Sequence, residues 1–176
     1  MTRSEERENV FRLLFLQMFY PKEETEEEVD LYFQFDELAS RVSEVDQKTV
    51  TERFNQVMEK LPEIDALLDS VTTGWKVNRM AKVDLTILRL AAYELNYDPE
   101  IPDGVAINEA VELAKKFGGD QSYGFVNGVL SKIKAAKEQA GSVTAAAEPT
   151  AQTVAESTVT EPAEPADAAP AEDSQG

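Results

Sequence analysis

The sequence has no cysteine and no histidine among its 176 residues. No Ser-His-Asp or Cys-His nucleophile pair can therefore form, no zinc site of the usual ligand types, and no imidazole that titrates near neutrality. A cysteine enzyme or a transition-metal enzyme is excluded by residue type, and the sequence suggests no catalytic residue, cofactor or metal ligand. Disulfides are impossible, which suits a reducing compartment, so a cytoplasmic location is expected. A long hydrophobic run is also missing. The most apolar early stretch, residues 10–20, is interrupted by Arg12 and Gln17 and preceded by Glu5, Glu6 and Glu8. It lacks a basic flank and falls far short of the ~20 apolar residues that span a bilayer, so neither a signal peptide nor a membrane anchor is expected.

Positive charge is scarce: 17 Lys and Arg stand against 34 Asp and Glu, a net charge of -17. The imbalance is uneven along the chain. Residues 139–176 contain 11 Ala, 4 Pro, 8 Ser or Thr and 7 acidic residues, with no Lys, Arg or aromatic residue. Such a composition buries too little apolar surface to offset the entropy of ordering the backbone, so an acidic, disordered tail is expected after a single domain at residues 1–138, read first as a solubilising extension and second as a competitor with RNA for basic surface. All 17 basic residues fall in that domain, against 27 acidic ones. Affinity for phosphate comes mainly from Lys and Arg, so this balance argues against a nucleic-acid binder that works alone.

Apolar residues recur at spacings of three and four nearly throughout, without sustained alternation, and the fold class is read as all-α. Thr2 with Glu5 has capping-box spacing ahead of Val10, Phe11, Leu14, Phe15 and Met18. Thr25 with Glu28 repeats it, and six of the eight residues 23–30 are acidic, which suits a helix's positive end. A third helix is predicted over about 46–61, and Pro62 is read as the first residue of a fourth that Gly74 stops. Trp75 follows and is read as a plug over the core, with an anchor for a partner as its second role. Residues 82–97 are apolar on almost every side and form the central helix, closed by Asp98-Pro99 and Ile101-Pro102. A further helix ends at Gly118-Gly119. The last carries Phe125, Val126, Val129, Leu130 and Ile133, with Gly128 placed for close helix contact. The count is seven helices.

No phosphate loop of the G-x-x-x-x-G-K-[ST] type is present, and Gly118, Gly119 and Gly124 follow a helix where a dinucleotide fingerprint needs a strand. The many carboxylates are read as capping and solvated faces. Asn108 and Asn127, each beside apolar neighbours, are expected to be half-buried and to cap or cross-link helix ends.

Three stretches occur in order: ILRLAAYEL at 87–95, IP at 101–102 followed by AINEAVELAK at 106–115, and FVNGVL at 125–130. Together they closely resemble the NusB family of bacterial transcription antitermination factors, and Arg7-Glu8 with Leu13-Leu14-Phe15 is similar to that family's first helix. The resemblance spans residues 3–134. It implies an all-helical fold of two small bundles and a non-catalytic role: pairing with NusE, a ribosomal small-subunit protein, and binding boxA RNA of ribosomal RNA leader transcripts. That complex acts on elongating RNA polymerase together with other Nus factors. By position, the resemblance assigns RNA binding to Arg3, Arg7, Phe15, Gln121 and Phe125, and NusE engagement to Asp84 and the helix of Glu94.

Residues 1–12 hold Arg3, Arg7 and Arg12 against Glu5, Glu6 and Glu8. Weak binding of RNA by the lone chain is therefore expected, with the basic partner supplying most of the phosphate neutralisation. Phe15 and Phe125 are candidates for stacking on bases, or equally for the core. The alternative is a helical adaptor with little or no RNA binding. An RNA methyltransferase carrying a similar domain is not expected, since about 138 structured residues leave no room for an α/β methyl-donor domain.

Overall fold

The computed structural model describes residues 1–145 apart from 22, 24 and 38, with side chains described through residue 141. Among these residues there are six α-helices and no strand: α1 Arg3–Gln17, α2 Thr25–Phe35, α3 Glu44–Val71, α4 Lys82–Tyr97, α5 Asp103–Phe117 and α6 Ser122–Ala145. Two short 3-10 turns, Ala39–Arg41 and Val77–Arg79, precede α3 and α4.

The capping box at Thr2 forms as the sequence indicates: its side chain accepts from Glu5 N–H, and the Glu5 carboxylate accepts from Thr2 N–H at 2.7 Å. Helix α4 occupies the residues assigned to the central helix. It packs against α1 and α3 on one side and α5 and α6 on the other. Ile87, Leu88, Leu90, Ala92 and Leu95 are buried at its middle. Each such Leu or Ile contributes roughly 1.5–3 kcal/mol relative to exposure, which makes α4 the element the two halves share.

Six helices, not seven, result because α3 runs through Pro62 without a break. A proline inside a helix loses the bond from its missing N–H and crowds the carbonyl four residues back. Here tertiary burial outweighs that cost. Val50, Phe54, Val57, Ile64 and Leu68 are all at most 1 % exposed, and at ~100° per residue they stay in phase across the proline. Two separate helices would have to abandon that continuous stripe.

Helix α3 ends where Thr72 N–H donates to Leu68 O, and Gly74 turns the chain at φ 82°, in the left-handed region that glycine alone enters freely. Trp75 follows it out into solvent and is 60 % exposed, so it is no plug over the core. Gly128 does not support close packing either, since a Cβ built there meets nothing within 4 Å. The close approach is at Gly118, where a Cβ would lie 2.4 Å from Ser122 Cβ and 2.6 Å from Ala114 O. Helix α6 continues past residue 138 to Ala145. The rest of the segment read as a tail, residues 146–176, lies outside the described residues.

Candidate functional site

The charged residues divide sharply into paired and unpaired. Of the 16 described Lys and Arg residues, 11 lie within ion-pair distance of a carboxylate. The five without such a partner among the described residues are Arg3, Lys76, Arg79, Lys82 and Lys132. Three of the five fall within residues 75–82, in the connection from α3 to the first residue of α4, a cationic loop that contains no acidic residue. Asp69 is the carboxylate closest in the bonding pattern. Its Oδ1 accepts from Val77 N–H at 2.9 Å, and its main-chain carbonyl accepts from Lys76 Nζ at 3.0 Å.

Aromatic rings flank the same loop. Trp75 meets Phe125, in the first turns of α6, edge to face with centroids 6.5 Å apart. Lys82 Nζ sits 4.9 Å above the Phe19 ring. Phe19 touches Phe15 at 5.2 Å, Phe15 stacks on Phe11 at 6.3 Å, and Phe11 tilts against Phe117 at 4.9 Å. An aromatic strip thus runs from the end of α5 across α1 to the cationic loop. Phe15 and Phe117 also line an apolar recess of about 250 Å³ with Tyr32 and Val83. Exposed rings beside unpaired cations match what single-stranded nucleic acid needs, a stacking surface and phosphate neutralisation.

The residues singled out in the sequence do not all gather on this surface. Phe15 is half-buried within the strip, Phe125 is half-buried beneath Trp75, and Gln121 is exposed, its carbonyl accepting from Phe125 N–H at 3.1 Å. Arg3 is exposed at the other end of α1, ~18 Å from Phe15 by helical rise. Arg7 is 6 % exposed and spends its guanidinium internally: Nε donates to Glu94 Oε1 at 2.7 Å, and Nη1 lies 3.2 Å from Glu109 Oε2. Burial raises the Glu94 carboxyl above the usual range, and the adjacent Arg7 guanidinium opposes that rise. Glu94 Oε2 has no hydrogen-bond partner among the described residues.

Asp84 is buried in the first turn of α4, and its Oδ1 is likewise without a partner. Asn108 and Asn127 are exposed; they are not half-buried cross-links. Lys76, Arg79 and Lys82 were overlooked in the sequence. The signal for them was an acid-free run beside a tryptophan in a chain of strong negative charge.

Among the described residues no group of three or more Asp or Glu is placed to hold a metal ion. No helix there is long and apolar enough to cross a membrane. An all-helical protein that presents a ring-and-cation surface belongs to the class of helical binding proteins. The chain's particular place in that class follows from comparison. The model of the NusB family matches residues 4–135, and the chain belongs to that family. The transcription antitermination protein NusB of Lachnoclostridium phytofermentans is 53% identical over 133 residues, which cover 76% of this chain and 98% of the relative. That of Agathobacter rectalis is 52% identical, with 76% and 99% covered. Among solved structures, T. maritima NusB superposes with a TM-score of 0.66 at 32% identity, covering 80% of this chain and 98% of that one. The fold is also shared, at 23% identity and a TM-score of 0.61, with a structure of antitermination factors NusB and NusE in complex with dsRNA, covering 77% of this chain and 99% of that one.

Proposed function

We propose that the protein is a transcription antitermination factor that pairs with the ribosomal small-subunit protein NusE and, with it, holds boxA RNA of ribosomal RNA leader transcripts on elongating RNA polymerase alongside other Nus factors. Family membership supports the role, and relatives more than half identical carry the name transcription antitermination protein. The observation that carries the RNA reading is the exposed Trp75, packed on half-buried Phe125, beside Lys76, Arg79 and Lys82, cations with no carboxylate within ion-pair distance among the described residues. The rings stack bases and the cations meet phosphates.

Phe125 and Gln121 border that path, and Phe15 reaches it through Phe19. Arg3 is an outlying phosphate contact. Arg7 is a positioning residue that acts through Glu94 and fixes α1 on α4. Asp84, in the first turn of α4, marks the end of that helix we assign to NusE engagement. Neither catalysis nor a cofactor is part of this role, and its place is the cytoplasm.

The test is fluorescence anisotropy of labelled boxA RNA with this protein, with NusE and with both, at several salt concentrations. The expected result is weak binding by the lone chain, and binding by the pair at least tenfold tighter than by either component. A pair that binds no better than NusE alone would instead favour the adaptor reading.

A further inference from the structure

Of the cations left without a carboxylate, three cluster in residues 75–82, and the chain carries its own polyanion. Residues 146–176 hold seven Asp or Glu and no Lys or Arg. This segment is an addition to the shared domain: 133 matched residues cover 98% and 99% of the two relatives, and the family match ends at residue 135.

Geometry allows the two to meet. Helix α6 carries the chain from Phe125, in contact with Trp75, to Ala145, ~30 Å away by helical rise. The 31 residues that follow span up to ~100 Å when extended, well beyond that distance. A tether turns such an encounter into an intramolecular one, with an effective concentration that a free peptide of the same charge would not reach. Elsewhere most cations are already matched by carboxylates and repay an incoming anion poorly. The other two unmatched described cations are single: Arg3 stands at the start of α1, and Lys132 two turns beyond Phe125 on α6.

We propose that the acidic C-terminal segment, residues 146–176, docks on the cationic loop at residues 75–82 and competes there with RNA. The loop is then an autoregulated site, masked in the free protein and released when RNA or a basic partner displaces the segment. The consequence for RNA rests on the function proposed above. The docking itself does not, and it is read without RNA.

Trp75 is the single tryptophan of the chain and reports from within the patch. Its acrylamide quenching is to be measured at low and high salt in the full chain and in a full-length variant with all seven tail carboxylates changed to amides. Expected is a protected Trp75 in the full chain at low salt, exposed as salt rises, and a Trp75 exposed at all salts in the variant. Adding Lys76→Gln, Arg79→Gln and Lys82→Gln to the full chain should abolish the protection, whereas Lys48→Gln, at the opposite end of α3 and ~35 Å from Val71 by helical rise, should leave it in place. Equal quenching of full chain and amide variant at low salt overturns the proposal, as does protection lost through Lys48→Gln but kept without the three loop cations.

In the RNA titration the amide variant should bind about two- to tenfold tighter, because apparent affinity scales with the fraction of open sites. It should also show a steeper salt dependence than the full chain, whose competitor is itself released by salt. Protection of Trp75 with RNA affinity unchanged would refute the competition.

Discussion

Replacing Arg7 by methionine tests the buried charge pair at the junction of α1 and α4. Arg7 and Glu94 are 6 % and 4 % exposed, and Glu94 has one carboxylate oxygen bonded to Arg7 and the other bonded to nothing. Removing one member of a buried pair leaves the other uncompensated and costs about 3–5 kcal/mol, whereas replacing both by apolar groups is often close to neutral. Glu109, the second partner, is a quarter exposed and recovers water when Arg7 is lost, so most of the cost falls on Glu94. Arg7→Met is thus expected to lose about 3–5 kcal/mol, a large part of the 5–15 kcal/mol typical of a domain, and Arg7→Met with Glu94→Met to lie within ~1 kcal/mol of the natural protein. The sign with pH follows from the same burial. Without Arg7 the folded-state pKa of Glu94, already raised by burial, moves further above its unfolded value. The folded state then favours the protonated form; stability is retained below the unfolded pKa and lost as pH rises through the folded one. Urea unfolding followed by circular dichroism at pH 5 and pH 7.5 should therefore show the single variant more destabilised at the higher pH. The reasoning is refuted if the single variant stays within 1 kcal/mol of the natural protein, or if the double variant is as unstable as the single. A folded double variant that loses boxA binding would return Arg7 to the RNA surface.

Two further perturbations probe the helices that carry the site. Pro62→Ala gives an exposed position in α3 back its N–H and removes the ring's clash, so a gain of about 1–2 kcal/mol in urea unfolding is expected after the loss of proline's constraint on the unfolded chain is subtracted; a loss would show that a break at Pro62 is built into the fold. Gly118→Ala should cost about 1–3 kcal/mol, because the added carbon meets the Ala114 carbonyl and Ser122, whereas Gly128→Ala, open on α6, should gain about 0.5–1 kcal/mol; reversal of either sign in the same assay would contradict the packing described.

What could be read from the sequence depended on whether the governing interaction was local. Helix α4 could be placed to the residue because its stop, Asp98-Pro99, is a backbone constraint and its all-round apolarity needs no partner to interpret. The same local reasoning failed at Pro62. Proline at the first turn of a helix and proline inside one look alike from the neighbours, and the choice was made by a stripe from Val50 to Leu68 longer than either predicted helix. Trp75, just after a helix stop, reads as a plug over the core, but Gly74 turns the chain outward just before it. The Arg7–Glu94 bond joins residues 87 apart, and no pattern within one helix foretells it. A positional resemblance could therefore place Arg7 among RNA contacts although its guanidinium is turned inward.

Charge, too, acts here by place more than by chain total. A domain with 17 basic and 27 acidic residues should repel RNA if its charge acted as a whole. At physiological ionic strength, however, exposed charges more than ~8 Å apart are largely screened from each other, so a bound phosphate responds to what lies within that radius. The carboxylates of this protein are not spread uniformly. They pair with 11 of the 16 described cations and leave residues 75–82 with three that are unmatched. The net charge then sets long-range approach, which a basic partner eases and RNA does not, while the local surplus sets contact. Under the function proposed above, this division predicts a negative protein that engages RNA only beside a cationic companion. It places the decisive loss of affinity in Arg79→Gln and its two loop neighbours, ahead of any change at the paired arginines of α1.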